Sequence, residues 1–379
     1  MRGGDASRNR STNIRRSKPV HPVKSVQENT RQPPVGVVVA LVNVDQSVYH
    51  APMHSVEQIV VIGSGNWGLA LAGVFAGRKP VRVWTIDAET AQTLNSNRDQ
   101  PGEFFTFCIA DEIVIEQKYA SDVDVRATLF VLAVPSGQVR CAARELAAHA
   151  DHPLIVSVSK GFDAKKQCTM SEVIRNEIPG AHVIVLTGPT IANEVALGLP
   201  TRAVLACDDL MHLALVRDAL RNDVISFEVS RNPTHHETCA ALKGLVAIAA
   251  GIADGLKLGA NAQGVIMTEG LRELSVVASF FGIPEEVAYG ISGAGDLITT
   301  CLSTDSRNRR LGTILAQGRS LQEALDEVRM TVEGVAMSQT IETLWSLDVS
   351  IPLFHSVNAI LGGQVRDVRT ELCELISRL

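Results

Sequence analysis

The sequence predicts two parts: an α/β domain on a doubly wound parallel sheet, then an all-helical domain. Three observations predict it. Apolar runs of strand length alternate with helical stretches from Ile59 to Leu186. A glycine-rich turn, Gly63-Ser64-Gly65-Asn66-Trp67-Gly68, directly follows the first run. Strand signals stop near residue 230, where long helical stretches take over. The 379 residues also exceed the roughly 250–300 at which a single core stops growing. The expected divisions are an extension over 1–55, the α/β domain over 56–230 and the helical domain over 231–379.

Ile59-Val60-Val61-Ile62 is the first expected strand, followed by a helix to about Gly77. Val81-Arg82-Val83-Trp84 is the second strand, and Asp87 to Asn97 reads as helix. Leu129 to Val134 is a buried strand ended by Pro135, and Leu154–Val158 and Val183–Leu186 follow. Continuous apolar strands between helices imply a parallel sheet with both faces covered. Beyond residue 230, His235–Leu256 and Asn261–Phe281 are long helical runs, and shorter ones continue to the C-terminus.

The first 24 residues carry Arg2, Arg8, Arg10, Arg15, Arg16, Lys18 and Lys24 against one acid, Asp5. With no apolar periodicity, such a segment is expected to be disordered. It reads as a basic tail, a targeting peptide or sequence upstream of a start at Met53; the last is preferred, because Met53 lies six residues before the first strand.

Lys plus Arg number 35 and Asp plus Glu 41, a net charge of −6 that argues against a nucleic-acid partner. Apolar residues at 46% and charged residues at 20% describe an ordinary globular composition. The seven cysteines include no CxxC pair, so reduced cytoplasmic thiols are expected, with neither disulfides nor a metal site. No apolar run approaches the ~20 residues of a membrane span, so none is expected. His235-His236 reads as a solvated helix start rather than a metal site.

The glycine turn carries chemistry. Gly63 permits the tight turn, Gly65 lets backbone approach a pyrophosphate, and Gly68 allows close helix–strand packing. Amides of the following helical turn suit phosphate charge, so a Rossmann-type dinucleotide site is expected. The second strand should end at the residue choosing between NAD and NADP. Thr85-Ile86-Asp87 there contains no cation, and an acid repels a 2′-phosphate, so NAD is preferred over NADP. Arg82 and Arg98 are the cations able to reverse that choice.

Further motifs run along the chain: Val134-Pro135-Ser136, Ser159-Lys160-Gly161, Gly188-Pro189-Thr190-Ile191-Ala192-Asn193-Glu194 and Ala241-Leu242-Lys243. Gly293-Ala294-Gly295-Asp296-Leu297, Ser306-Arg307-Asn308-Arg309 and Val332-Glu333-Gly334 follow. In content and order they resemble the bacterial type of NAD(P)-dependent glycerol-3-phosphate dehydrogenase, over about residues 57 to 363. The resemblance implies reversible reduction of dihydroxyacetone phosphate to sn-glycerol 3-phosphate, feeding glycerophospholipid synthesis, by a homodimer.

On its own, Lys243 in an apolar helix must snorkel, pair with an acid or serve chemistry. The resemblance makes it the general acid and base, with Asp296 orienting it and Lys160 beside the substrate. It implies substrate contacts from Gly188, Thr190, Thr300, Ser306, Arg307 and Asn308. Arg307-Asn308-Arg309-Arg310 alone would read as a charged helix face; a guanidinium nonetheless suits phosphate through its bidentate fork. Cofactor contacts are implied for Gly63, Gly65, Asn66, Trp67, Gly68, Pro135, Lys160, Ala192, Arg307 and Glu333.

Two positions depart from the family pattern. Gly244 stands where Asn usually follows the lysine, and Glu269 stands where Arg usually precedes Gly270. They motivate a rival to the main reading, the same chemistry on another small phosphorylated or phosphonate ketone; a non-catalytic nucleotide sensor is a third reading, against which Lys160, Lys243, Asp296 and Arg307 count.

Overall fold

Ile59-Val60-Val61-Ile62 is apolar at every position because both faces of its strand are covered. Ile59 and Val61 enter the core on one side of the sheet, Val60 and Ile62 the core on the other. The structure, a computed structural model, describes residues 55–100, 102, 106–119, 123–163, 166–344 and 349–378. The expectations for the extension and for Met53 lie outside the described residues.

In chain order the strands are β1 (Gln58–Ile62), β2 (Val81–Thr85), β3 (Val114–Gln117), β4 (Thr128–Leu132), β5 (Leu154–Ser157), β6 (Phe162–Asp163), β7 (Cys168–Thr169), β8 (His182–Thr187), β9 (Thr201–Ala206) and β10 (Ile225–Ser230). Among the described residues, eight form one sheet ordered β10-β9-β8-β5-β4-β1-β2-β3, and β6 pairs with β7 apart from it. Helices α1 (Asn66–Ala76), α2 (Ala88–Ser96), α3 (Ser136–Ala147), α4 (Met170–Glu177), α5 (Ala192–Ala196) and α6 (Leu210–Ala219) connect and cover the strands.

The expected parallel sheet is present, with one reversal. β9 runs antiparallel to β8, while every other adjacent pair in this sheet is parallel. The link between them, residues 188–200, holds one helix, α5, whose five residues rise only about 7.5 Å against the roughly 20 Å of a six-residue strand such as β8, so α5 does not run the length of the sheet as a crossover helix would. Instead α5 packs on α1 beside the glycine turn.

Beyond β10 the chain is helical: α7 (Pro233–Gly255), α8 (Gly259–Phe280), α9 (Glu285–Ala288), a π-turn (Ile291–Gly295), α10 (Asp296–Leu302), α11 (Arg307–Leu315), α12 (Leu321–Val328), α13 (Glu333–Leu344), α14 (Pro352–Leu361) and α15 (Val368–Arg378). α7 starts at Pro233, two residues earlier than its periodicity suggests, with proline in the first turn, where its missing N–H is harmless.

Among the described residues, α7 is long and apolar enough to cross a membrane by length and composition alone. Its apolar window is 89% buried inside the protein, and it is the central helix of the helical core. Against it lies α11, at a distance only glycine permits. A Cβ on Gly251 would fall 2.0 Å from Arg309 O, and one on Gly312 would fall 2.1 Å from Ile248 O. This backbone contact holds the start of α11, with Arg307 and Asn308, near the Lys243 stretch of α7.

Candidate active site

Lys243 projects from the middle of α7 and is 8% exposed. Its ammonium pairs with Oδ1 of Asp296, the first residue of α10, itself 2% exposed. The other carboxylate oxygen, Oδ2, accepts from Lys160 Nζ at 2.8 Å. One carboxylate thus bridges two lysines from opposite halves of the fold.

Burial pushes the Lys243 ammonium down to about 7; the Asp296 charge acts to raise it, and the Lys160 charge reinforces the lowering. Thr300 donates to the Asp296 backbone carbonyl at 2.6 Å, one helical turn back. Lys160 also donates to Gly188 O at 2.9 Å and Thr190 Oγ1 at 3.1 Å. Its three ammonium protons are therefore all held by protein. Gly188 has φ +134°, a conformation that strongly favours glycine, and this turns its carbonyl toward Lys160.

Arg307 is the first residue of α11 and keeps part of its surface open to solvent. Among the described residues it has no hydrogen-bond or ion-pair partner. Protein encloses it closely enough that burial lowers its pKa, with the Glu333 charge acting in the other direction. Ser306 caps α11, accepting from Arg309 N at 3.2 Å. Asn308 Oδ1 accepts from Gly334 N at 2.9 Å. Glu333 accepts from Ser136 N at 3.1 Å and from the Ser136 hydroxyl, joining α13 to the start of α3, where Pro135 is the N-cap.

The glycine turn fits a dinucleotide. Gly63 adopts φ +113°, and a Cβ on Gly68 would fall 2.1 Å from Gly63 O, so both must be glycine. A Cβ on Gly65 would meet no heavy atom within 4 Å, which leaves its side open for a ligand. No side chain caps the start of α1, and Asn66 Oδ1 is buried without a partner among the described residues. Trp67 is half-buried against the core, and Ala192 starts α5 alongside. These residues suit the pyrophosphate of NAD or NADP.

A dinucleotide turn at the strand ends and a lysine–carboxylate cluster at its side define an NAD(P)-dependent oxidoreductase. Residues 58–213 match the family model for the NAD-dependent glycerol-3-phosphate dehydrogenase N-terminus, and residues 233–369 match that for its C-terminus. The chain is 35% identical over 309 residues to glycerol-3-phosphate dehydrogenase [NAD(P)+] of Fusobacterium nucleatum, covering 80% of this chain and 92% of that one. Its counterpart from Listeria monocytogenes serotype 4a is 33% identical over 330 residues, covering 85% and 96%. The crystal structure of glycerol-3-phosphate dehydrogenase from Coxiella burnetii superposes with a TM-score of 0.76 at 28% identity, covering 86% and 100%. The chain belongs to the NAD-dependent glycerol-3-phosphate dehydrogenase family.

Both departures from the family pattern have local partners. A Cβ on Gly244 would fall 2.9 Å from Gly334 Cα and 3.5 Å from Asn308 Nδ2. The space an asparagine would need is filled by the start of α13, so Gly244 leaves no added room for a different substrate. Glu269 pairs with Arg272, three residues on, and Gly270 packs against Val246.

Sequence reasoning missed three residues around the cluster. Ser136 holds Glu333. Glu237 is buried and accepts from Ser171 N at 2.9 Å, tying α7 to the start of α4. His236, expected at a solvated helix start, is 5% exposed and hydrogen-bonded through both ring nitrogens. For Glu237 and His236 the one available signal was their place nearly two turns before Lys243 in an unusually apolar helix.

Gly244→Asn should collide with the Gly334 backbone. Overpacking of this kind lowers stability by about 1–3 kcal/mol, so the denaturant midpoint should fall without a gain in turnover. An unchanged midpoint with higher turnover would show that the space is available after all.

Proposed function

We propose that the chain catalyses reversible reduction of dihydroxyacetone phosphate to sn-glycerol 3-phosphate, with the Lys243–Asp296–Lys160 cluster as its reacting centre. The observation that carries this reading is a lysine pushed to about 7 by burial while a bridging carboxylate holds it. An acid–base group works best when its pKa lies near the operating pH. Bound NAD(P)H supplies the hydride to C2 of the ketone. Lys243 Nζ gives a proton to the C2 oxygen as the alkoxide forms, and takes it back in the oxidative direction. Asp296 orients Lys243. Lys160 holds the second carboxylate oxygen, and can bind substrate only by releasing Gly188 O or Thr190.

Arg307, which lacks a protein partner among the described residues, is assigned to the substrate phosphate, with Asn308 beside it. Gly188, Thr190, Thr300 and Ser306 line the substrate side. Gly63, Gly65, Asn66, Trp67, Gly68, Pro135, Lys160, Ala192, Arg307 and Glu333 are assigned to the cofactor. A sensor would have no use for the buried acid–base cluster, and the local contacts of Gly244 and Glu269 remove the motive for another ketone. The family resemblance alone supports a homodimer, and the free cysteines suit a reducing compartment such as the cytoplasm, where the product would feed glycerophospholipid synthesis.

NAD is the proposed preference. Asp87 caps α2 through Thr90 N at 2.7 Å, and these bonds hold its carboxyl below the usual range, so it stays ionised beside the ribose site. The two cations able to clamp a 2′-phosphate are engaged. Arg82 pairs with Glu116 at 3.2 Å, and Arg98 donates to Ala110 O, Ile113 O and Asn95.

Lys243→Met should keep cofactor binding while turnover falls by ~10²–10⁴-fold. In the wild type, reduction uses protonated Lys243 and should decline as pH rises through about 7, while oxidation should rise. Full activity in Lys243→Met would refute the mechanism. Comparing kcat/KM for NADH and NADPH should favour NADH; the reverse would mean that Arg82 or Arg98 leaves its partner to bind the 2′-phosphate.

A further inference from the structure

His236 lies seven residues before Lys243 on α7, about two turns, so both side chains share one face of the helix. Ser292 and Asp296 stand four residues apart on the π-turn and the start of α10. The pairs meet in register: His236 Nδ1 is 2.7 Å from Ser292 Oγ, and Lys243 pairs with Asp296. The helix and the turn are thus tied at two levels, one of them the reacting pair.

The hydrogen-bond directions follow from the donors available. Ser230 Oγ gives its proton to Arg231 O at 3.0 Å, so it accepts from His236 Nε2 at 2.8 Å. With that proton on Nε2, Nδ1 is the acceptor and the Ser292 hydroxyl the donor. Burial, with the His235 charge adding to it, lowers the His236 ring to about 4, so it stays neutral near neutral pH.

The turn needs such a tie. Ile291-Ser292-Gly293-Ala294-Gly295 closes with a bond from Gly295 N to Gly290 O at 3.1 Å, the i→i+5 pattern that is rare in proteins. Each glycine disfavours helical backbone relative to alanine. Ser292 is the one polar side chain in the five, and it is 1% exposed.

We propose that His236 is a positioning residue for the reaction: by accepting the Ser292 hydroxyl proton, it fixes the turn that delivers the Asp296 carboxylate to Lys243. The inference rests on the roles given above to Lys243 and Asp296. Charged and titratable groups facing Lys243 are Asp296, Lys160 and the buried Cys301 thiol. Of these, Asp296 supports the Lys243 proton and Lys160 opposes it. A displaced Asp296 therefore leaves Lys243 easier to deprotonate.

The test is the pH dependence of dihydroxyacetone phosphate reduction by NADH in full-length Ser292→Ala, His236→Leu and His236→Asn. Ser292→Ala and His236→Leu should move the alkaline limb of kcat down by about one pH unit, a smaller effect than full removal of a charge partner. On that limb, one unit is about a tenfold loss of kcat. KM for NADH should stay unchanged, and the double variant Ser292→Ala/His236→Leu should shift no further than either alone. His236→Asn, whose amide oxygen can accept from Ser292, should restore the wild-type limb. Should His236→Leu fail to fold, the milder Ser292→Ala decides. A wild-type limb in folded Ser292→Ala, or no recovery in His236→Asn, would overturn the inference. If Lys243→Met retained activity, the functional reading itself would fail, a separate outcome.

Discussion

A single carboxylate held between two lysines is the constraint on which the site depends. Asp296 is almost fully buried, and a buried charge is destabilising by several kcal/mol unless it is paired and hydrogen-bonded. Its partners come from different parts of the chain. Lys160 follows β5 at the strand's C-terminal end, Lys243 sits inside α7, and Asp296 itself opens α10. Satisfying one carboxylate therefore fixes the sheet, the central helix and the π-turn against one another. Two cations against one anion leave the cluster with net positive charge when both lysines are protonated. Arg307 nearby adds to it, which suits a phosphorylated substrate in a chain whose total charge is negative.

Smaller contacts join the same two halves. Glu333 reaches Ser136, and Asn193 donates to Asp305 at 2.8 Å. Glu237 holds the start of α4 through Ser171, whose hydroxyl donates at 2.5 Å, and burial raises this carboxyl to about 7. Each is a directional bond rather than bulk apolar contact, so the relative placement of sheet and helices is specified at named points around the cluster. Within the helical half, the glycine contacts fix α7 against α11 by shape, since nothing larger than hydrogen fits there.

Much of this was legible in the residues. The first strand, its glycine turn and the two long helices declare themselves through periodicity and through a motif whose spacing has a physical reason. Lys243 was conspicuous as a charge in an apolar helix, and its partner Asp296 followed from the family resemblance. The antiparallel β9 was not legible, because Thr201–Ala206 carries no directional signal. His236 was misread because a histidine near a helix start looks the same in sequence whether water or Ser292 and Ser230 face it. Nor does the sequence show what surrounds Gly244. An absent side chain suggests space, and only the position of Gly334 shows the space to be filled.

The central claim is that the Asp296 charge sustains the proton on Lys243 against burial and Lys160. The pH–rate profile of Asp296→Asn for dihydroxyacetone phosphate reduction tests it most directly. The amide keeps the size of the carboxylate but removes its charge. Losing an adjacent opposite charge moves a pKa by about 1–3 units, so the alkaline limb should shift to lower pH by that amount, with reduced turnover at its plateau. A limb that stays where the wild type has it, in a folded variant that still binds NADH, would contradict the account.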